Sequence, residues 1–209
     1  MFDISNLWLF LLATVALNLT PGPDMLYVIS RSISQGKKAG VVSSFGITVG
    51  ALIHAVMAAF GLSFIISQSV LAFTVIKTAG ALYLIYLGIK GFFMHRNVVI
   101  KKDKKVFSYK RMFWQGVITD ILNPKVALFF ISFLPQFVNP KSGMITEQIL
   151  FLGVLFNISG ITVLLLTTAL FGYIAGWMEQ HAFFEKMQKW FMPTSFVGLG
   201  IALLFSNRE

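Results

Sequence analysis

The sequence of 209 residues contains no cysteine, and only 12% of its residues are charged. The absence of cysteine excludes disulfide bonds, thiolate nucleophiles, iron–sulfur clusters and lipid anchors attached through cysteine. The shortage of charge excludes the soluble enzyme classes, because soluble globular chains carry about 25% charged residues. What is present instead is 56% hydrophobic residues and a mean hydropathy of +0.79. This composition indicates an integral membrane protein.

Motifs for several kinds of chemistry are missing as well. The sequence has no glycine-rich loop ending in Gly-Lys-Ser or Gly-Lys-Thr, no His-Glu-x-x-His and no Gly-x-Ser-x-Gly, so we expect no nucleotide hydrolysis, no metal site and no serine hydrolase. We therefore expect that the protein binds no cofactor and is not an enzyme. No lysine or arginine precedes Arg31. The first apolar segment thus lacks the basic start of a secretory signal, and we expect it to remain in the mature protein.

Six apolar segments approach the length needed to cross a bilayer, which is roughly 20 helical residues for about 30 Å of hydrocarbon. They cover residues 5–30, 41–66, 70–94, 113–138, 148–177 and 190–206. The last segment is short and contains Pro193, so five spans is the alternative. We predict an all-α, single transmembrane domain over residues 1–209. It consists of two three-helix halves, 1–94 and 113–209, joined by a basic loop at 95–112, and the second half is inverted relative to the first.

Basic residues predict the orientation of the chain. Twelve of the 17 lysines and arginines fall in three loops: Arg31, Lys37, Lys38, Arg96, Lys101, Lys102, Lys104, Lys105, Lys110, Arg111, Lys186 and Lys189. Cytoplasmic loops carry the excess of basic residues in membrane proteins. Six spans with both termini outside place all three loops in the cytoplasm. The net charge of +9 is therefore assigned to topology, and we expect no nucleic-acid partner.

Each half opens with a span that proline interrupts near its middle. The two interruptions are Asn18-Leu19-Thr20-Pro21-Gly22-Pro23-Asp24 and Asp120-Ile121-Leu122-Asn123-Pro124-Lys125. Proline removes a backbone donor and disfavours helix at the residue before it. The carbonyls freed in this way are tolerated in a membrane only where protein, water or a ligand satisfies them. Interrupted helices at matching places in two inverted halves are typical of the binding site of a transporter. A plain proline kink, satisfied by Asn18, Thr20 and neighbouring helices, is the alternative.

Small residues at spacing four follow each interrupted span, as Gly46 and Gly50 in the first half and Gly172 and Gly176 in the second. Such spacing is typical of close helix packing in membranes.

Ionisable residues also lie inside the predicted spans. Asp24 and Asp120 are expected about 10 and about 13 Å from the cytoplasmic face at 1.5 Å per residue, and Lys125 is one turn deeper than Asp120. Such groups are costly in a membrane and line a pathway or pair with each other. A neutralising Asp–Lys pair is therefore the alternative to a function. His54 and Asn157 lie mid-span in the second and fifth segments, and His54 is either a packing residue or a proton carrier.

Two stretches resemble a known family. Residues Asn18 to Gly61 are similar to the opening of the LysE/RhtB family of amino-acid exporters, and residues Gly116 to Val138 are similar to its second signature. The resemblance implies a secondary exporter of amino acids or close analogues across the bacterial inner membrane. Members of that family often carry an amide at the position of Asp120. The resemblance therefore leaves the substrate open.

Carried over residue by residue, the resemblance assigns function to the two proline motifs: Pro21, Gly22, Pro23, Asp24, Asn123, Pro124 and Lys125. We expect Asp24, with the freed carbonyls around Asn18 and Thr20, to bind a substrate ammonium, and Lys125 with the amides at a helix N-terminus to bind its carboxylate. Asp24, Asp120 and His54 are candidates for coupling to protons. The expected partners are the amino acid, protons and the lipid bilayer. A homodimer is the assembly that we consider for the chain.

Two rival functions belong to other classes. The first is an intramembrane aspartyl protease with Asp24 and Asp120 as the catalytic pair, which would share one proton and activate water. Against it, the two acids lack the Tyr-Asp and Gly-x-Gly-Asp settings of such enzymes, and the nearby Lys125 would hold an acid ionised. The second is a membrane scaffold without transport, which does not explain two broken helices.

Overall fold

The computed structural model describes residues 6–68, 70–93, 106–139 and 142–178, together with the single positions 190, 194, 197, 198 and 201. Within these ranges the chain is helical and forms no strand. The helices are α1 (Leu7–Leu19), α2 (Pro23–Gln35), α3 (Lys37–Gln68), α4 (Val70–Phe93), α5 (Tyr109–Ile121), α6 (Pro124–Leu128) and α7 (Ile145–Met178). The predicted all-α fold is confirmed. Most of the predicted sixth span and residues 95–105 of the predicted basic loop lie outside the described residues.

Up to four membrane crossings are evident from length and composition. Two are single helices, Lys37–Leu62 within α3 and Ile145–Leu170 within α7. The other two are bent pairs: α1 and α2 meet at 48°, and α5 meets residues Pro124–Phe137 at 46°. The first and fourth predicted spans are therefore broken where the sequence predicts. α4 coincides with the predicted third span, and the inverted arrangement of the two halves remains a prediction.

Proline begins the second half of each broken span. α1 ends because Thr20 turns to an extended backbone, with φ −68° and ψ 118°, ahead of Pro21. Gly22 is extended too, and Pro23 is the first residue of α2. In the other span, the Asn123 side chain accepts a hydrogen bond of 3.0 Å from the Lys125 amide, with Pro124 as the first residue of α6. Proline suits this first position, because its missing N–H would lack a helical partner there anyway.

α6 continues as one π-helical turn, Phe129–Phe133, and one 3₁₀ turn, Leu134–Phe137. The phenylalanines of these two turns pack against α1 and α7 and form the main core. The aromatic residues of this core are Phe10, Phe129, Phe130, Phe133, Phe137 and Phe156. Neighbouring rings in this group have centroids 4.7 to 5.9 Å apart. This core holds the second broken span against the first.

α3 packs directly on α5 and α7, and its contact with α5 is made at glycines. A Cβ atom on Gly46 would lie 2.2 Å from the Phe113 carbonyl oxygen, and one on Gly116 would lie 2.8 Å from the Ser43 carbonyl oxygen. The two backbones therefore touch, which is the role that small residues have in membrane helix pairs. Large apolar side chains cover the outside, among them Trp8, Leu12, Phe45 and Phe60, as expected of a surface in contact with lipid.

Candidate functional site

The two proline breaks meet inside the protein, although they are about a hundred residues apart in sequence. The Asn123 side-chain amide donates a hydrogen bond to the Asp24 carboxylate. The Lys125 ammonium donates to the carbonyl oxygens of Leu17, at 3.3 Å, and Thr20, at 3.2 Å. Asp24, Asn123 and Lys125 are all buried. Each break therefore supplies hydrogen-bond partners for the other.

Lys125 occupies the carbonyls that the first break exposes. They lie at the C-terminal end of α1, where a positive charge is favourable. The Thr20 hydroxyl satisfies a third carbonyl, that of Ala16, at 2.7 Å. Gly22 leaves room for this lysine, since a Cβ atom there would lie 3.1 Å from its Nζ. In this conformation a protein ammonium thus fills the place that the sequence assigns to a substrate ammonium.

A small cavity lies beside this junction. Its volume is about 30 Å³, which is room for about two water molecules. Its polar lining comes from six helices, which supply one residue each: Asn18, Asp24, Thr48, Asp120, Lys125 and Asn157. The cavity therefore brings together Asp24, Asp120 and Lys125, three of the ionisable residues that the sequence places within the predicted spans.

Three buried oxygens of this lining have no hydrogen-bond partner among the described residues: Asp24 Oδ1, Asp120 Oδ2 and Asn157 Oδ1. A buried acceptor without a donor is costly, and such groups occur where a ligand, ion or water completes them. The cavity is thus rich in acceptors.

Four of the remaining predicted residues shape the breaks and are not among those that line the cavity. Pro21 and Gly22 are buried at the junction, whereas Pro23 and Pro124 are exposed at the two helix starts. The fifth residue, Asn18, does line the cavity, and its side-chain nitrogen donates to Ser159 Oγ at 3.2 Å.

His54 contacts the backbone of Asp120. Its Nε2 is 3.1 Å from the Asp120 carbonyl oxygen, and its ring stacks on Phe130 with centroids 6.1 Å apart. His54 is not among the residues that line the cavity. Its role in proton coupling therefore remains a prediction.

Two residues of the polar lining fall outside the proline motifs. Asn157, on α7, donates from Nδ2 to the Gly153 carbonyl at 2.9 Å. Thr48, on α3, donates to the Ser44 carbonyl at 2.9 Å. Asn157 can be noticed in the sequence because it is an isolated amide side chain in an apolar span. Thr48 is one of many small hydroxyl residues, and no sequence feature distinguishes it.

Gly50 makes room for Asp120. A Cβ atom at Gly50 would lie 2.6 Å from the Asp120 Cβ and 2.9 Å from its Oδ2. The two glycines predicted to serve helix packing thus have different roles. Gly46 allows α5 to approach α3 closely, and Gly50 leaves space for the Asp120 carboxylate near the C-terminal end of α5.

Comparison with known proteins agrees with these motifs. The family model described as LysE type translocator matches residues 15–207. The chain belongs to the LysE type translocator family. It is therefore a multi-pass membrane translocator and not an enzyme, and this membership gives no support to an intramembrane protease.

Curated relatives cover nearly the whole chain. It is 34% identical over 190 residues to the uncharacterized membrane protein YrhP of Bacillus subtilis (strain 168), covering 87% of this chain and 90% of the relative. It is 32% identical over 200 residues to the homoserine/homoserine lactone efflux protein of Salmonella typhimurium, covering 96% of each. An uncharacterized membrane protein of Vibrio cholerae is 29% identical over 199 residues, with 95% of this chain and 96% of the relative covered. No solved structure matches the chain significantly.

Proposed function

We propose that this translocator exports amino acids or close analogues from the bacterial cytoplasm across the inner membrane, in exchange for protons. The observation that carries the proposal is the cavity between the two broken helices, which two carboxylates and an ammonium line. Membership of the family and the relative named for homoserine and homoserine lactone efflux support the choice of substrate class.

Charge supports exchange with a proton. With Asp24 and Asp120 ionised and Lys125 protonated, the site carries one net negative charge. A buried net charge is unfavourable unless something balances it. One proton supplies the balance, and the ammonium of a substrate would pair with the same carboxylates. Because both neutralise the same carboxylates, they occupy the site alternately, and that alternation couples their movements.

Asp24 is the proposed centre of this exchange. It lies in the first turn of α2, where the helix N-terminus favours negative charge. Asn123 holds one of its oxygens, and the other lines the cavity without a partner among the described residues. Substrate arriving from the cytoplasm takes the place of a proton there, and a proton from outside replaces the departing substrate.

A substrate that carries a carboxylate has a second candidate contact for it. The sequence assigns this contact to Lys125, whose ammonium is engaged by the Leu17 and Thr20 carbonyls. A substrate carboxylate that takes over Lys125 would release the end of α1. Substrate binding would then loosen the junction of the two broken helices, which is a route from occupancy to conformational change.

Two broader features belong to the same proposal. The protein lies in the inner membrane with both termini outside and its basic loops in the cytoplasm. A homodimer is the proposed assembly in the bilayer.

Transport by everted membrane vesicles tests the proposal. Vesicles containing the protein receive radiolabelled L-homoserine together with an acidic lumen, which corresponds to the acidic outside of the cell. We expect accumulation above that of vesicles lacking the protein, and its loss when a protonophore collapses the gradient. Equal accumulation with and without the protein, across a panel of amino acids, would overturn the proposal.

A further inference from the structure

The three unpartnered oxygens of the cavity match one chemical group. An alkylammonium has three N–H donors and no acceptor. Three residues of the cavity lining carry such oxygens, Asp24 Oδ1, Asp120 Oδ2 and Asn157 Oδ1, all buried and without partners among the described residues. Each of the three side chains is at least nine-tenths buried, with relative exposures of 6%, 1% and 6%. The donors of one ammonium would satisfy all three.

The orientation of the Asn157 amide follows from its neighbour. Its nitrogen lies 2.9 Å from the Gly153 carbonyl oxygen, which can only accept. The side chain must therefore place its nitrogen there and turn its oxygen away from that carbonyl. α7 thus contributes an acceptor to a site whose other two acceptors come from α2 and α5.

The cation of the cavity, by contrast, is already engaged. Lys125 donates to two carbonyls at the end of α1 and stands beside Gly22, which has no side chain to displace it. The volume of about 30 Å³ suits an ammonium head group, which is about the size of a water molecule, and not a whole amino acid.

Resting on the proposed function, we infer that Asn157 completes a three-acceptor ammonium site with Asp24 and Asp120. The protein recognises its substrate through the ammonium, and a free carboxylate is dispensable for binding. The ligand class is therefore primary amines of amino-acid size, including those whose carboxyl group is masked. Asn157 is a specificity-determining residue of this site.

Competition between two matched derivatives tests the inference. In everted vesicles that accumulate labelled L-homoserine, L-homoserine amide keeps the ammonium and N-acetyl-L-homoserine keeps the carboxylate. We expect the amide to inhibit uptake within about threefold of homoserine itself, and the N-acetyl compound to be at least a hundredfold weaker. Inhibition by the N-acetyl compound, or none by the amide, would overturn the inference.

Variants on α7 test the part played by Asn157. Asn157→Leu removes the acceptor at similar size and should weaken inhibition by the amide about tenfold, as loss of a hydrogen bond to a charged group does. Asn157→Asp keeps an acceptor oxygen and should restore it. Thr162→Val is the control, because Thr162 is exposed on the same helix and bonds only the Ile158 carbonyl. Unchanged inhibition in Asn157→Leu would remove Asn157 from the site.

Binding to purified protein separates this inference from the proposed function. Homoserine amide should raise the melting temperature of the detergent-solubilised protein, since a ligand that binds only the folded state stabilises it. N-acetyl-L-homoserine should not. If vesicles accumulate no amino acid but the amide still stabilises the protein, the ammonium site stands and the exporter proposal fails. No stabilisation by homoserine or its amide would overturn the site.

Discussion

The side-chain amide of Asn123 donates a hydrogen bond to the carboxylate of Asp24, across 99 positions of the sequence. Asn123 immediately precedes α6, and Asp24 is in the first turn of α2. One short contact therefore links the two helix starts that follow the proline breaks. It also fixes which Asp24 oxygen faces Asn123 and leaves the other for the cavity.

Replacing the carboxylate at this contact should abolish coupling to protons. Asp24→Asn removes a group that can exchange a proton for a substrate ammonium, while an amide keeps similar size. We expect this variant to lose accumulation driven by an acidic lumen in everted vesicles. Asp120→Asn should weaken accumulation or leave it intact, since the family resemblance implies that an amide is acceptable there. If Asp24→Asn still responds to the gradient, Asp120 or His54 is the proton carrier instead.

The fit between Gly22 and Lys125 predicts a second effect. Gly22→Ala places a Cβ 3.1 Å from the Lys125 ammonium nitrogen, so the ammonium must move by a few tenths of an ångström, which we expect to weaken its hydrogen bonds to the α1 carbonyls. We expect a several-fold loss of transport and a destabilisation on the order of 1 kcal/mol, measured by uptake and by thermal unfolding in detergent.

Gly61→Ala is the matched control for that variant. A Cβ atom at Gly61 meets no atom within 4 Å, and alanine favours helix more than glycine does. Both quantities should stay at or above the values of the unmodified protein. Wild-type transport by Gly22→Ala would show that Lys125 does not need its place beside Gly22.

Removal of both prolines from the first break should impair transport without preventing insertion. In a Pro21→Ala, Pro23→Ala double variant a continuous helix can recover its own hydrogen bonds. The Leu17 and Thr20 carbonyls would then no longer be available to accept hydrogen bonds from Lys125. We expect normal amounts of protein in the membrane and poor homoserine uptake. Undiminished uptake would reduce the break to a kink without function.

The proposed orientation is open to labelling, and the absence of cysteine means that no native thiol interferes. Single cysteines introduced at positions 2, 68 and 208 should react with a membrane-impermeant thiol reagent added to intact cells. Those at positions 103 and 183 should react only after permeabilisation. External labelling at position 103 would invert the orientation.

The sequence predicts much of this architecture because its strongest signals are local. Long apolar runs give the spans, and Pro21, Pro23 and Pro124 give the breaks, since proline acts on its own backbone and that of its neighbour. Asp24 and Lys125 draw attention for a similar reason: an ionisable residue within an apolar run is costly wherever it points.

What escapes prediction depends on contacts between distant segments. That Lys125 binds the end of α1, and that Pro23 and Pro124 face outward, follow from how the helices are rotated and tilted. The π-helical turn at Phe129–Phe133 follows likewise from packing among phenylalanines. Asn157 joins the cavity because α7 crosses α1 and α3 at that level, which spacing along α7 does not reveal.

The contact of α3 with α5 restricts how the protein can move. At Gly46 and Gly116 the backbones of the two helices are in direct contact. Sliding or rotation of one helix against the other would therefore cause a steric clash. We therefore expect α3 and α5 to move together as one rigid unit. The bends after Thr20 and Leu122, where helical hydrogen bonding is already interrupted, are the compliant points. We therefore expect any motion that admits substrate alternately from the two sides of the membrane to move the half-helices α1, α2 and α6 relative to the pair α3 and α5.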